Sequence, residues 1–227
     1  MNMLTLPIDF YKEPPSNCPL CPRLKEFREN WRQKEPTWHN SPVPPFFPKA
    51  GLETIKLLII GLAPGLRGAN KTGRPFTGDY AGHLLYDTLK KYGFAKGEFL
   101  EDPKDSLELI NTGIINAVRC VPPENKPLPQ EIHTCRQFFA PLLFQLPNLQ
   151  AIVTLGTIAH ESTIRAFKEP VKNHPFQHHK VTQIGKIKIF SSYHCSRYNT
   201  NTNRLTTAMF QEIFADVSAY LKNNAIN

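Results

Sequence analysis

Long hydrophobic runs are missing from this chain, and no leader is expected. No apolar stretch approaches the ~18 residues that cross a bilayer as a helix, which argues against a helical membrane protein and a membrane partner. The opening Met1-Asn2-Met3-Leu4-Thr5-Leu6-Pro7 has neither the basic nor the apolar region of a secretory signal. A cytoplasmic location is therefore expected, and with it reduced thiols. There is no internal repeat and no low-complexity tract. Acidic side chains are in short supply, 19 against 27 basic ones, for a net charge of +8. That balance favours an anionic partner such as nucleic acid, an acidic surface or a phosphorylated small molecule.

Cysteine is also scarce, with five residues in 227, and its placement is informative. Cys18 and Cys21 form a C-x2-C pair. Cys120 and Cys135 form a second pair a hundred residues later. Cys195 stands alone beside His194. In a reducing compartment, paired cysteines favour metal ligation over disulfides. Four thiolates suit zinc or a [4Fe–4S] cluster equally, and the spacing alone leaves both open.

A chain of this length can bury one core, so a single domain over residues 1–227 is expected. Residues 1–50 are proline-rich and read as an N-terminal arm. It holds one helix, from Pro22 to about Gln33, with Leu24, Phe27 and Trp31 at helical spacing. From residue 54, short apolar strands alternate with helices. The strands are Ile55–Ile60, Ile114–Val118, Ala151–Leu155 and Ile187–Ser191. A helix follows Thr77-Gly78-Asp79 and stops at Gly93. Another opens at Pro129, where Pro141 threatens a kink. A third runs through Phe167, and a last amphipathic one covers about 203–222. This alternation predicts an α/β fold, a three-layer α/β/α sandwich on a mainly parallel four-stranded sheet. Ligands in such folds bind beyond the carboxyl ends of the strands.

Three strand ends carry chemistry. After the first strand lies Gly61-Leu62-Ala63-Pro64-Gly65-Leu66-Arg67-Gly68-Ala69-Asn70-Lys71-Thr72-Gly73. Gly65 to Thr72 nearly fits a phosphate-binding loop, but Asn70 occupies the required second glycine. A P-loop-like nucleotide hydrolase is thus one alternative reading. Arg67 and Lys71 suit phosphates in either case. Phe76 sits in a loop with no helical stripe to make it core, so it is a candidate to stack on a planar base. Asp79 reads as a helix cap or a carboxylate with a chemical role. Asn116, at the second strand end, offers a donor and an acceptor to a base edge. After the last strand, residues 191–204 contain no aliphatic side chain. There His194 can donate to a developing anion, Arg197 and Arg204 can bind phosphate, and Tyr198 can wedge or stack. A thiol nucleophile at Cys195 is disfavoured, because neighbours on an extended chain point apart. A zinc-stabilised, non-catalytic nucleic-acid-binding module is the other alternative.

Three motifs in order carry a resemblance. They are Gly61-Leu62-Ala63-Pro64-Gly65 through Thr77-Gly78-Asp79, then Asn116-Ala117-Val118-Arg119-Cys120-Val121-Pro122-Pro123, then His194 to Thr206. With the four cysteines, they resemble the iron–sulfur uracil-DNA glycosylases, most closely the family 5 (type B) branch. The resemblance covers most of the chain. It implies a structural [4Fe–4S] cluster on Cys18, Cys21, Cys120 and Cys135, and action on DNA that contains uracil or other damaged bases; a monomer is the default expectation. It further implies a base pocket formed by Gly61, Ala63, Pro64, Gly65, Phe76, Asn116 and His194. His194 and Asn116 would be the catalytic groups, and Asp79 is the candidate, from its own place in the sequence, to orient water or stabilise the sugar cation. Arg67, Lys71, Arg197, Tyr198 and Arg204 would hold the DNA. Leu62 stands where the related family 4 has an acidic residue, which implies a broader choice of base. Cys195 replaces a usual proline, Asn203 a usual glycine and Gly65 a frequent alanine.

Overall fold

The structure is a computed structural model that describes residues 11–224, so the segment Met1–Pro7 lies outside the described residues. The chain opens with helix α1 (Pro22–Lys34), which starts on a proline. Strand β1 (Leu57–Gly61) follows, then a single helical turn, α2 (Ala69–Thr72), and helix α3 (Tyr80–Lys91). Strands β2 (Ala95–Lys96) and β3 (Glu108–Leu109) make a small antiparallel ribbon. Next come β4 (Thr112–Asn116), α4 (Pro129–Cys135), α5 (Ala140–Gln145), β5 (Ala151–Leu155) and α6 (Thr157–Ala166). The chain ends with β6 (Val181–Ile184), β7 (Ile187–Ser192), α7 (Arg197–Asn201) and α8 (Thr207–Asn223).

The main sheet has the order β4-β1-β5-β7-β6. Its first four strands are the expected parallel set. The expected count of four is corrected to five, because β6 joins as an antiparallel edge strand. Its exposure alternates along the chain, as an edge strand's does, and it lacks the continuous apolar run that marks the buried strands. The last helix begins at Thr207, not near 203, with the Thr206 side chain accepting from Met209 N. The helix expected from Pro129 is broken. A 3₁₀ turn at Arg136–Phe138 separates α4 from α5, since Pro141 offers no N–H to continue the ladder.

Strand β1 is buried throughout, with both faces covered. Its odd residues, Leu57 and Ile59, join a core with Leu85 and Leu89 of α3 and Phe210, Ile213, Phe214 and Val217 of α8. Its even residues, Leu58 and Ile60, join a second core with Phe139, Leu142 and Leu143 and with Ala159 and Ile164 of α6. The period-two alternation of the strand sorts the helices into two layers, which makes the three-layer sandwich.

Register fixes the working edge. Gly61 pairs with Asn116, and Leu155 with Ser192, so the carboxyl ends of β1, β4, β5 and β7 stand side by side. The loop between β1 and α3 is tied down by Arg74. Its guanidinium makes two 2.7 Å bonds to Asp105 and lies 5.3–5.9 Å from the rings of Phe46, Tyr86 and Phe99. Burial alone would raise the Asp105 carboxyl, but Arg74 and the N–H groups of Leu100 and Leu107 outweigh it and hold it below the usual range.

A depressed carboxylate stabilises the fold above its unfolded pKa, near ~3.9, and that contribution disappears as pH falls through the lower folded value. Asp105→Asn should therefore destabilise the protein at pH 7 by about 3 kcal/mol, because a buried guanidinium loses its partner. The gap to the unaltered protein should narrow below about pH 4. Urea unfolding at pH 7 and pH 3 checks this, and an equal gap at both values would refute it.

Candidate active site

The glycine ending β1 makes the site possible. A Cβ on Gly61 would lie 2.4 Å from Asn116 Oδ1 and 2.8 Å from Phe76 Cζ, so both side chains close over a residue that has none. Asn116, the last residue of β4, is almost fully buried. Its side-chain amide has no hydrogen-bond partner among the described residues, so donor and acceptor both remain for a ligand. Phe76 has a left-handed backbone, φ +53°, which a bulky residue adopts only when its surroundings enforce it. The enforcement is visible on both sides. Tyr86 Oη donates to Pro75 O at 2.6 Å, and Arg74 Nε donates to Thr77 Oγ1 at 2.8 Å.

His194 comes from the loop after β7. Its ring lies 5.9 Å from that of Phe76, inclined by 26°. The imidazole has no hydrogen-bond partner among the described residues. Part of its surface is open to the cavity, yet the surrounding protein desolvates it, and burial lowers its pKa to about 4. At neutral pH it is an uncharged ring with one N–H to donate. Asn199 Nδ2 donates to His194 O at 2.8 Å, and the αL backbone of Asn203, φ +54°, closes the following turn. Asparagine tolerates that conformation better than other non-glycine residues, so it can replace the usual glycine.

Asp79 proves to be both cap and wall. Its Oδ1 accepts from Gly82 N at 3.3 Å at the start of α3. Its Oδ2 faces the loop, where a Cβ on Gly68 would come within 2.6 Å. Burial raises its pKa. Phe76, Asn116, His194, Asp79 and the Ala63-Pro64-Gly65 backbone line one small pocket. It adjoins a larger cavity of about 730 Å³, whose rim includes Arg67, Gly68 and Ser196. Arg67, Lys71, Arg197, Tyr198 and Arg204 are all exposed, and none of the four cations has an ion pair among the described residues. Arg197 lies 5.3 Å from the Tyr80 ring and Arg204 4.6 Å from the Tyr193 ring.

The phosphate-loop reading and a Cys195 nucleophile fail for structural reasons. Asn70 is buried and donates to Asn40 Oδ1 at 2.9 Å, so it anchors the arm where a phosphate loop needs an open nest of N–H groups. Cys195 is wholly buried with its sulfur toward Ala81 O, and burial pushes its pKa upward, so it is no nucleophile.

Cys18, Cys21, Cys120 and Cys135 line a separate small cavity with Arg28, Arg119, Leu24 and Phe138. Arg28 donates to Cys120 Sγ at 3.3 Å, and Arg119 N donates to Cys135 Sγ at 3.3 Å. Arg28 Nε and Arg119 Nη1 are buried without partners. Burial drives the Cys135 thiol to about 12 and the Cys21 thiol to about 11. Among the described residues no group of three or more His, Cys, Asp or Glu is placed to hold a metal ion.

The model of the uracil DNA glycosylase superfamily matches residues 48–218. The chain belongs to the uracil-DNA glycosylase superfamily. It is 42% identical over 207 residues to the type-5 uracil-DNA glycosylase of Thermus thermophilus, spanning 88% of this chain and 91% of that one. It is 30% identical to the type-5 enzyme of Pyrobaculum aerophilum, over 89% and 88% of the two chains. It is 27% identical to the type-4 enzyme of Thermotoga maritima, over 70% and 74%.

Within this superfamily member, the sequence reading missed one wall. Leu155, Gly156, Thr157 and Ile158, at the end of β5 and the start of α6, line the larger cavity, as does Asn125. The signal was present in Gly156, whose φ of +94° brings the chain close to His194, but the segment carries no charged or aromatic group. Another position legible only in three dimensions is Gly82, where a Cβ would lie 2.1 Å from Phe76 O. Gly82→Ala should displace the Phe76 loop and cost about 1–3 kcal/mol, as overpacking does. Urea denaturation checks this, and an unchanged midpoint would contradict the enforced loop.

Proposed function

We propose that this protein removes uracil from DNA by hydrolysing its N-glycosidic bond, leaving an abasic site. The observation that carries the reading is the meeting of Phe76, Asn116 and His194 around one pocket, with the polar groups of the last two unpaired. A base in a duplex is out of reach of such a pocket, so the target nucleotide must leave the stack. Phe76 then stacks on the extruded ring, and Asn116 pairs with its edge. Arg67, Lys71, Arg197 and Arg204 hold the bent backbone, and Tyr198 fills the vacated space.

Bond breaking leaves negative charge on the base and positive charge on the sugar. His194, neutral and desolvated, donates its N–H to the base oxygen where the negative charge grows. Burial keeps the ring uncharged at neutral pH, with one N–H left to donate. Asp79 stands where its carboxylate can face the sugar cation or orient the attacking water. The raised pKa of Asp79 sets an acid limit on that role.

The four cysteines fit a [4Fe–4S] cluster as its ligands. The donor set is all thiol, two N–H groups already point at sulfur, and two buried guanidinium nitrogens await negative charge. Thiols with raised pKa values give up their protons only to a strong cation. The group would be structural, tying Cys18 and Cys21 of the arm to the segment that follows Asn116. Residues 1–227 are read as one domain completed by this tie, acting as a monomer. Leu62 and the roomy cavity favour bases beyond uracil, including other deaminated or modified ones.

His194→Ala and Asn116→Ala should each slow uracil release on the order of a hundredfold or more. The assay is alkaline cleavage of a uracil-containing oligonucleotide after incubation. Full activity in both variants would sink the mechanism. The rate should show no histidine ionisation between pH 5 and 8, as expected for an imidazole with pKa about 4; a break near ~6.5 would contradict it. Cys120→Ser should abolish the iron absorbance near ~400 nm and lower stability. A colourless unaltered protein holding one zinc would favour the non-catalytic module instead.

A further inference from the structure

We propose that the N-terminal arm carries a second DNA-phosphate contact, a column formed by Lys34, Trp31, Trp38 and Lys71. This rests on the reading of the protein as a DNA glycosylase and extends its binding face to residues outside the pocket. The chain has two tryptophans, and they lie on each other with centroids 5.5 Å apart and planes 2° from parallel. Lys34 Nζ lies 5.5 Å from the Trp31 ring, and Lys71 Nζ lies 5.8 Å from the Trp38 ring. Both lysines are exposed, and neither has an ion pair among the described residues.

The column is held against α2 by backbone bonds. His39 N donates to Lys71 O at 3.0 Å and Asn40 N to Asn70 O at 3.1 Å. Side chains reinforce the join, with Asn70 bonded to Asn40, and Asn40 Nδ2 donating to Glu35 O at 2.7 Å. Lys71 sits one helical turn beyond Gly68, which is on the cavity rim. The column therefore continues directly from the proposed active-site mouth onto the arm.

Chemistry selects the occupant. Arg32 on the same helix is consumed inside the arm, bonding Ser16 O, Asn17 Oδ1, Asn40 O and Ser41 Oγ. Lys25 is offset by Glu29 at 3.8 Å. Lys34 and Lys71 are left as free cations, each braced on an aromatic face, and that limits the entropy lost when they meet phosphate. A nucleic-acid backbone beside the cavity matches their charge and the join between the arm and the loop that carries Arg67 on the cavity rim.

The test uses the full-length protein with its natural metal content and duplex DNA containing one uracil. Binding is measured from 0.05 to 0.4 M salt. Lys34→Ala should weaken binding roughly fivefold to tenfold near 0.1 M salt and reduce the salt slope by about 0.9, the value for one lost phosphate contact. Lys25→Ala is the control on the same helix and should leave the slope unchanged. Tryptophan emission should change saturably on adding DNA and recover in high salt, since both reporters lie in the column. An unchanged slope in Lys34→Ala, or an equal fall in Lys25→Ala, overturns the proposal. Uracil release by the unaltered protein is followed in parallel, so a failure of the glycosylase reading appears there and not in the slope.

Discussion

The site depends on a missing side chain at the end of β1. Without a Cβ at Gly61, the Phe76 ring and the Asn116 amide occupy the same small region above the strand, within distances that any other residue would violate. Everything nearby is arranged to hold that proximity. Parallel register sets Asn116 beside Gly61, the buried Arg74–Asp105 pair restrains the loop, and Tyr86 fixes the carbonyl just before Phe76. The left-handed backbone of Phe76 is stored strain, held by the bonds of Tyr86 to Pro75 and of Arg74 to Thr77 on either side of it.

Electrostatics complement this geometry. The pocket lining holds no cation: His194 is kept neutral by burial, Asn116 contributes dipoles without a formal charge, and the ionisable group in the wall is the Asp79 carboxyl. Cations are kept outside, on the rim and the loops, where water lowers the cost of leaving them unpaired. A polyanion is thus attracted to the surface while the pocket stays able to stabilise charge that appears only during reaction. Ala63 packs against the apolar cluster around the cysteines while also lining the pocket. One short stretch, Asn116 to Cys120, connects the two.

The same economy explains the odd residues at family positions. Asn203 takes up the left-handed turn that glycine usually makes, and Cys195 is wholly buried with its sulfur toward Ala81 O. Gly65 leaves room for the Asp79 carboxylate, whose Oδ2 would be 3.1 Å from a Cβ there. Asn203 and Cys195 lie outside the pocket lining, and Gly65 lines it without a side chain.

The sequence by itself determined the four buried parallel strands, the motif order and the pairing of the cysteines. Those signals are local: unbroken apolar runs, glycine after a strand, a helix opened by Asp79. It also singled out Asn116, Phe76 and His194, because each is a polar or aromatic group in a loop or strand end with no periodic reason to be there. It did not fix the edge strand β6, whose alternation is short, or the start of α8, where the Ser196 cap gave α7 its own turn first. Nor did it reveal the β5 wall, the ring contact between Phe76 and His194, or the tryptophan column. Tertiary structure decided these, because each arises where segments far apart in sequence meet, and the distances that matter are set by packing between layers and not by any pattern along one of them.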